Sequence, residues 1–220
     1  MTFANESHSS IDMNQILNGR RMRRNRSSDW SRRLIRENTI TVDDLIWPIF
    51  LIDGENKVEP VSSMPGVDRL SVDMAVRAAE KAAELGIPVL ALFPNTDPDL
   101  RDEMGTEALN NNNLTCRALQ AIKAEGLPVG LMTDVALDPY TSHGHDGLMV
   151  GDRIINDETV QQLCRQALIQ AEAGADIIAP SDMMDGRIGA IRYALDTQGH
   201  ETFSSWPTPQ VRLCLLRPVP

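Results

Sequence analysis

The sequence lacks several patterns that define common protein classes. No stretch reaches the roughly 20 consecutive apolar residues needed to span a membrane, and the first ten residues have no apolar core like that of a secretory signal. The three cysteines show no CxxC spacing, so we expect no disulfide framework. No GxGxxG follows the first predicted strand, and no Walker A motif occurs. These absences favour a cytoplasmic protein without a nucleotide cofactor.

Charge is distributed unevenly along the chain. The net charge is −10, yet eight arginines and a single acid, Asp29, lie between Arg20 and Arg36. The remainder is therefore strongly acidic, which argues against a nucleic-acid-binding body. We interpret residues 1–38 as an arm that is solvated or contacts a partner. Binding of a polyanion by this arm is the alternative, although Trp30 is almost its only aromatic residue.

Beyond the arm, hydrophobic periodicity predicts an α/β fold. Apolar runs of strand length alternate with helical patterns, and glycines mark the helix ends. The predicted strands are 44–52, 87–93, 127–133 and 175–179, and the predicted helices are 72–85, 114–125, 157–173 and 186–197. Four βα units are half of a (β/α)8 barrel or a small doubly wound sheet, and periodicity alone does not separate these two.

The richest cluster of reactive side chains is the segment 134–147, DVALDPYTSHGHDG, directly after the third predicted strand. The chemistry of α/β folds lies at the carboxyl ends of strands, so this segment predicts an active site. Its carboxylates, Asp134, Asp138 and Asp146, favour magnesium over zinc, and His143 and His145 are candidates for nitrogen ligands or proton transfer. The competing interpretation is a polar turn in which the aspartates cap backbone amides.

Two further polar segments follow predicted strands. The segment 179–187, APSDMMDGR, places Ser181 and Asp182 at the end of the fourth strand. Arg187 follows at the next helix, where a guanidinium can bind a substrate carboxylate in a bidentate manner. Helix capping by Ser181, with Arg187 on the surface, is the simpler alternative. The segment 93–110 after the second strand is interpreted as an ordered loop at the mouth of the barrel.

These three segments resemble porphobilinogen synthase, also called 5-aminolevulinate dehydratase, and the resemblance runs from about Arg20 to about His200. Zinc-binding members carry cysteines at the positions of Ala136, Asp138 and Asp146, so this chain is similar to the zinc-independent, aspartate-bearing type. The resemblance implies that Asp134 and Ser181 are catalytic-site residues. It also implies that Asp138, Asp182 and Arg187 contact substrate, and that Asp138 and Asp146 replace the metal-binding thiols.

The same resemblance implies an enzymatic activity that depends on catalytic lysines. This chain lacks those lysines. The family condenses two molecules of 5-aminolevulinate to porphobilinogen, in heme and tetrapyrrole biosynthesis, through Schiff bases on lysine amines. The only lysines are Lys57, Lys81 and Lys123, and none lies at a family catalytic position. We therefore expect the chain itself to be inactive, with magnesium as the candidate metal and no zinc.

The last segment, 201–220, departs from the family pattern. It contains four prolines, which disfavour a regular central strand. One codon choice for 210–220, read one nucleotide later, encodes KYASAFYGPFR, which resembles the family motif around its first catalytic lysine. We expect a frameshift or truncation near residue 201, leaving an arm (1–38), a partial barrel (39–200) and an aberrant tail.

The resemblance further implies a homo-oligomer, commonly an octamer, in which the arm contacts a neighbouring subunit. With half a barrel, we expect the fourth strand to be an unpaired edge and stability to be marginal. Two other functions stay open on the residues alone. One is a non-catalytic half-barrel that binds other subunits, and the other is a magnesium-dependent lyase or aldolase on an open sheet.

Overall fold

The computed structural model describes residues 21–201 and 204–205. They fall into two compact units that divide between Ile40 and Thr41. The described part of the first unit contains a 3₁₀ helix, Met22–Arg26, and helix α1, Asp29–Leu34. Ser31 Oγ donates a 2.8 Å hydrogen bond to the carbonyl of Asn25, which ties α1 to the 3₁₀ helix.

The second unit alternates strands and helices. Its strands are β1 Ile46–Leu51, β2 Val58–Pro60, β3 Asp68–Leu70, β4 Val89–Pro94, β5 Gly130–Val135, β6 Met149–Val150, β7 Arg153–Ile154, β8 Ile177–Pro180 and β9 Ser204–Ser205. Its helices are α2 Val72–Leu85, α3 Leu114–Ala124, α4 Asn156–Ala173 and α5 Arg187–Thr197. Short 3₁₀ helices lie at Val42–Asp44, Pro98–Leu100 and Thr106–Leu109. None of the helices in this part of the chain is long and apolar enough to cross a membrane.

One sheet organises these elements in the order β2-β3-β1-β4-β5-β8-β9. The strands β1, β4, β5, β8 and β9 are parallel to their neighbours, and only β2 runs antiparallel, against β3. The four predicted βα units are therefore confirmed. The β2–β3 pair and the small β6–β7 hairpin were not predicted, because strands of two or three residues carry no measurable periodicity.

The two faces of the sheet differ in what covers them. The main core contains side chains of all four helices of the second unit, together with strand residues such as Leu90, Leu131 and Ile178. Successive helices also pack against one another. The opposite face has a small cluster built from strand side chains, namely Ala91, Met132, Ile177 and Ala179. A doubly wound sheet carries helices on both faces, so this arrangement is that of half a (β/α)8 barrel.

Helix α2 shows how the sequence produces this packing. Ala75, Ala79 and Ala82 are fully buried, and their small side chains let the helix lie close to the sheet. Gly86 ends the helix with φ +74°, a left-handed conformation that strains other residues. Ser71 lies at the N-cap position of this helix, but its hydroxyl donates to the carbonyl of Lys57 and contacts Asp73 instead of capping the helix.

One prediction about the edge of the sheet beyond β8 was wrong. The fourth parallel strand, β8, was expected to be an unpaired edge. Instead, Ser204 and Ser205 of β9 pair in parallel with Ile177 and Ile178. The prediction failed because the prolines that disfavour a strand begin only after these two serines.

Candidate active site

Asp134 lies near the carboxyl end of β5. The residues at the same level of the neighbouring strands are apolar. Phe50 of β1 lies opposite Phe93 of β4, and their ring centroids are 5.8 Å apart. The pairing of β4 with β5 extends to the residues just before Phe93 and Asp134, and Asp134 lies opposite Ala179 of β8. Because strand side chains alternate between faces, Asp134 belongs to the face that the helices do not cover.

Asp134 and Ser181 are brought together as the sequence predicted. Ser181 Oγ donates a 2.7 Å hydrogen bond to Asp134 Oδ2. Both side chains are partly buried, and each lies where its strand ends. A hydrogen bond to an ionised carboxylate is stronger than one between neutral groups, so this contact fixes both side chains at the mouth of the half-barrel.

Asp182 and Arg187 form a buried ion pair beside this contact. Asp182 is 1% exposed, and its Oδ2 lies 3.0 Å from Nε of Arg187. The Met184 amide donates to Asp182 Oδ1 at 2.7 Å, and Arg187 Nη1 donates to the Met184 carbonyl at 2.8 Å. The pair thus closes the turn between β8 and α5. The predicted role of both residues in substrate binding stays a prediction.

Burial has the largest effect on the pKa of Asp182. It raises the pKa of this carboxyl above its ordinary value, whereas the Met184 amide and the charge of Arg187 lower the pKa. The charge of Asp146 raises the pKa further. The segments 134–147 and 179–187 are therefore coupled through Asp182 and Asp146 as well as through Asp134 and Ser181.

The two histidines of the segment 134–147 contact backbone and side-chain groups close to them. The backbone amide of His145 donates to His143 Nδ1 at 3.1 Å, and His143 Nε2 lies 3.4 Å from the carbonyl of Glu103. His145 Nδ1 lies 3.1 Å from Asp146 Oδ1. Thr141 Oγ1 donates to the His145 carbonyl at 2.8 Å. These contacts form an ordered polar turn, but in none of them does an aspartate cap a backbone amide, as the competing interpretation supposed.

The residues predicted to bind metal do not form a complete metal site. Asp138 lies exposed in the turn after β5, and Asp146 is partly buried against His145. Within residues 21–201 and 204–205, no three His, Cys, Asp or Glu side chains gather as a metal site of protein ligands would require. Magnesium keeps most of its waters and takes one or two carboxylates, so assigning it to Asp138 and Asp146 stays a prediction.

The loop after β4 is ordered and contacts the segment 134–147. The amide of Ser142 donates to the Asp102 carbonyl at 2.9 Å, and the Asp102 amide donates to the Tyr140 carbonyl at 3.3 Å. The carboxylate of Asp102 accepts hydrogen bonds from the Thr106 hydroxyl and amide, which lower the pKa of Asp102. This loop thus forms one wall of the mouth.

The three lysines lie elsewhere and are all paired with acids. Lys57 Nζ is 3.3 Å from Glu59, and Lys81 Nζ is 2.9 Å from Glu84. Lys123 Nζ contacts Asp176 at 2.6 Å. Each of these acids lies outside the segments 134–147 and 179–187. The absence of a lysine at a family catalytic position stays a prediction.

Sequence reasoning missed a set of side chains behind the site. Helix α4 carries Gln162, Gln166 and Gln170, all buried, at helical spacing. This spacing is visible in the sequence as one polar residue at every fourth position on a face that packs inward. It is the signal that could have identified them, because buried amides require specific hydrogen-bond partners.

Comparison of the sequence with known proteins identifies its family. The family model described as delta-aminolevulinic acid dehydratase matches residues 19–205. The chain is 66% identical over 179 residues to the delta-aminolevulinic acid dehydratase of Bradyrhizobium diazoefficiens, covering 81% of this chain and 51% of that protein. The Rhodobacter capsulatus protein of the same name is 46% identical over 181 residues, covering 82% of this chain and 54% of its own length.

A solved structure shows the same fold. It is delta-aminolevulinic acid dehydratase (porphobilinogen synthase) from Toxoplasma gondii ME49, in complex with the reaction product porphobilinogen. The TM-score is 0.79 at 44% identity, and the match covers 84% of this chain and 53% of that one. The chain thus spans about half the length of the curated relatives it matches. Because the family model matches most of its residues, the chain belongs to the delta-aminolevulinic acid dehydratase family.

Proposed function

We propose that the Asp134–Ser181 pair forms part of a site that binds 5-aminolevulinate, the substrate that the family converts to porphobilinogen in tetrapyrrole biosynthesis. The observation that carries this proposal is the 2.7 Å hydrogen bond between the two side chains at the ends of adjacent parallel strands. The substrate carries an ammonium group, a ketone and a carboxylate. A fixed carboxylate can bind the ammonium group, and it can accept a proton as bonds to the ketone carbon form.

Two further contacts of the substrate belong to the same proposal. Arg187 supplies a guanidinium for the substrate carboxylate, and Asp138 supplies an exposed carboxylate in the turn after β5. Arg187 Nε lies against Asp182 Oδ2, and one N–H of Nη1 donates to the Met184 carbonyl. The two N–H groups of Nη2 are the donors that we assign to the substrate carboxylate. Asp182 then acts on substrate through Arg187.

The experiment is saturation-transfer NMR with the 220-residue polypeptide and 5-aminolevulinate. Transfer to the methylene protons of 5-aminolevulinate, reduced by added porphobilinogen, supports the proposed site. A matched pair of variants identifies the location: Asp134→Asn removes the transfer, whereas Asp99→Asn, at an exposed acid on a 3₁₀ helix, leaves it unchanged. Absence of transfer from the folded wild-type chain contradicts the proposal.

We also propose that these 220 residues bind substrate without turning it over. Schiff-base formation needs an amine at the site, and the three lysines pair instead with Glu59, Glu84 and Asp176, which lie outside the segments 134–147 and 179–187. Borohydride reduction in the presence of 5-aminolevulinate traps an imine as a stable adduct. Mass spectrometry then shows no specific lysine adduct and no porphobilinogen. A single lysine adduct that depends on Asp134 contradicts this part.

Magnesium is proposed as the metal, with Asp138 and Asp146 as the protein ligands and water completing the shell. The metal would polarise a substrate oxygen there. Manganese serves as a paramagnetic probe for the same ligands. Line broadening centred on residues 138–146, reduced in Asp146→Asn and unchanged in Asp185→Asn, supports the assignment. Broadening spread evenly over the acidic surface contradicts it.

The arm is proposed to mediate homo-oligomerisation in the cytoplasm. Its described residues expose Trp30 and Leu34 on one short helix among several arginines. Light scattering coupled to size exclusion measures the assembly. A discrete oligomer that dissociates in a Trp30→Ala, Leu34→Ala variant supports this role. The same mass for wild type and variant contradicts it.

A further inference from the structure

Three buried glutamines lie at every fourth position along helix α4. Gln162 is 8% exposed, and Gln166 and Gln170 are each 1% exposed. Positions i, i+4 and i+8 share one face of a helix, so the three amides form a column along α4. Burial of an amide is costly unless both its donor and its acceptor are satisfied, and a column of three predicts specific partners.

Gln170 binds the end of β5 at two points. Its Nε2 donates to the Asp134 carbonyl at 3.0 Å, and its Oε1 accepts from the Thr133 hydroxyl at 2.8 Å. The pairing of β5 with β4 ends at Thr133. The glutamine amide thus supplies a hydrogen bond to the backbone of Asp134 just beyond the point where the pairing with β4 ends.

The other two glutamines continue toward the loops of the mouth. Gln166 Nε2 donates to the Ala136 carbonyl at 3.1 Å, two residues beyond Asp134. Gln162 Nε2 donates to the Met104 carbonyl in the loop after β4. One rigid helix therefore holds the strand end, the start of the segment 134–147 and the opposite wall of the mouth.

We propose that Gln162, Gln166 and Gln170 are positioning residues that fix the two loops of the substrate site. The inference rests on the proposed function, because it assumes that the site lies between these loops. Fixing the Asp134 backbone sets the direction of its side chain and so preserves the contact with Ser181. The glutamines act through the backbone and do not touch substrate.

Hydrogen exchange measured by mass spectrometry tests this role without any ligand. Gln170→Leu keeps the side-chain volume but removes both hydrogen bonds. We expect amides of 134–148 to exchange about tenfold faster, while those of α2, 72–85, keep the wild-type rate. Gln161→Leu, at an exposed position on the same helix, is the matched control and leaves both segments unchanged. Equal exchange in the two variants overturns the proposal.

A second variant covers the case in which Gln170→Leu does not fold. Gln162→Leu removes one hydrogen bond near the protein surface, and we expect faster exchange only in residues 101–106. A uniform increase over the whole second unit indicates a purely structural role and overturns the proposal.

A spectroscopic signature distinguishes positioning of Asp134 from a general loss of stability. The ¹³Cγ resonance of Asp134, assigned by its loss in Asp134→Asn, is expected to shift in Gln170→Leu and to stay in place in Gln161→Leu. No shift in Gln170→Leu contradicts the inference. These readouts need no substrate, so failure of the proposed function would show itself separately in the binding experiments.

Discussion

Ser181 Oγ and Asp134 Oδ2 lie 2.7 Å apart, although 47 positions separate the two residues in the sequence. The distance is short because β5 and β8 are adjacent parallel strands whose carboxyl ends meet at one edge of the sheet. The residues between them include the loop 136–155 and helix α4, which crosses over the covered face. The two side chains that carry the proposed site are thus brought together by a single βαβ unit, formed by β5, α4 and β8.

Replacing Ser181 with alanine removes the donor from a partly buried carboxylate. We expect the free energy of unfolding to fall by about 1.5–3 kcal/mol, the range for a hydrogen bond to a charged group. Urea denaturation followed by circular dichroism measures the change. Ser142→Ala, at an exposed serine in the neighbouring loop, serves as the control and is expected to change it by less than about 0.5 kcal/mol. Equal effects of the two substitutions would contradict the assignment.

Replacing Arg187 with methionine leaves the Asp182 carboxylate buried without its cation. Removal of one partner of a buried ion pair is strongly destabilising, and we expect a loss of roughly 3 kcal/mol at neutral pH. The double variant Asp182→Asn, Arg187→Met removes both charges and is expected to recover part of that loss. If the double variant is no more stable than Arg187→Met, the pair does not hold the turn as described.

The raised pKa of Asp182 makes its contribution to stability depend on pH. Burial favours the protonated form in the folded state, so the destabilisation is absent below the ordinary value of 3.8 and develops as pH rises through the folded pKa. Wild type is therefore expected to lose stability relative to Asp182→Asn as pH rises above 3.8. Comparing the two by urea denaturation at several pH values tests the sign. A difference that shrinks with rising pH would show that Arg187 outweighs burial.

Burial also makes Cys116 unreactive. It raises the pKa of this thiol to about 11, and the charge of Glu107 adds to the shift. At pH 8 roughly one thiol in a thousand is ionised, so iodoacetamide is expected to leave Cys116 unmodified in the folded chain and to alkylate it in urea. Peptide mass spectrometry distinguishes the two states. Rapid alkylation of the folded chain would show that this region of α3 opens readily.

Asp134 and Ser181 could be predicted because each directly follows an apolar run, so knowledge of the strands was enough to place them. Arg187 could be placed at the next helix, but its pairing with Asp182 depends on the tight turn between them. The glutamines of α4 could not be interpreted from spacing alone. Their partners, the carbonyls of Asp134, Ala136 and Met104, are set by the position of α4 against the sheet.

The helices were predicted more accurately than the strands. The helix Val72–Leu85, which ends at Gly86, was located to the residue, and the other three long helices were each located to within one residue. Strand ends were less accurate: β5 begins at Gly130 and not at Leu127. Pro128 has no amide to donate to a neighbouring strand, so pairing starts only beyond it. The pairing of β9 with β8 depends on two serines, too few for any pattern to indicate a strand.

The most direct test of the central claim is a calorimetric titration of 5-aminolevulinate into the wild-type polypeptide and three variants. We expect saturable binding to wild type and to the Ser142→Ala control. The affinity is expected to fall by at least about tenfold, or about 1.4 kcal/mol, in both Asp134→Asn and Ser181→Ala. Equal affinity in all four proteins would show that the substrate does not bind at the contact between Asp134 and Ser181.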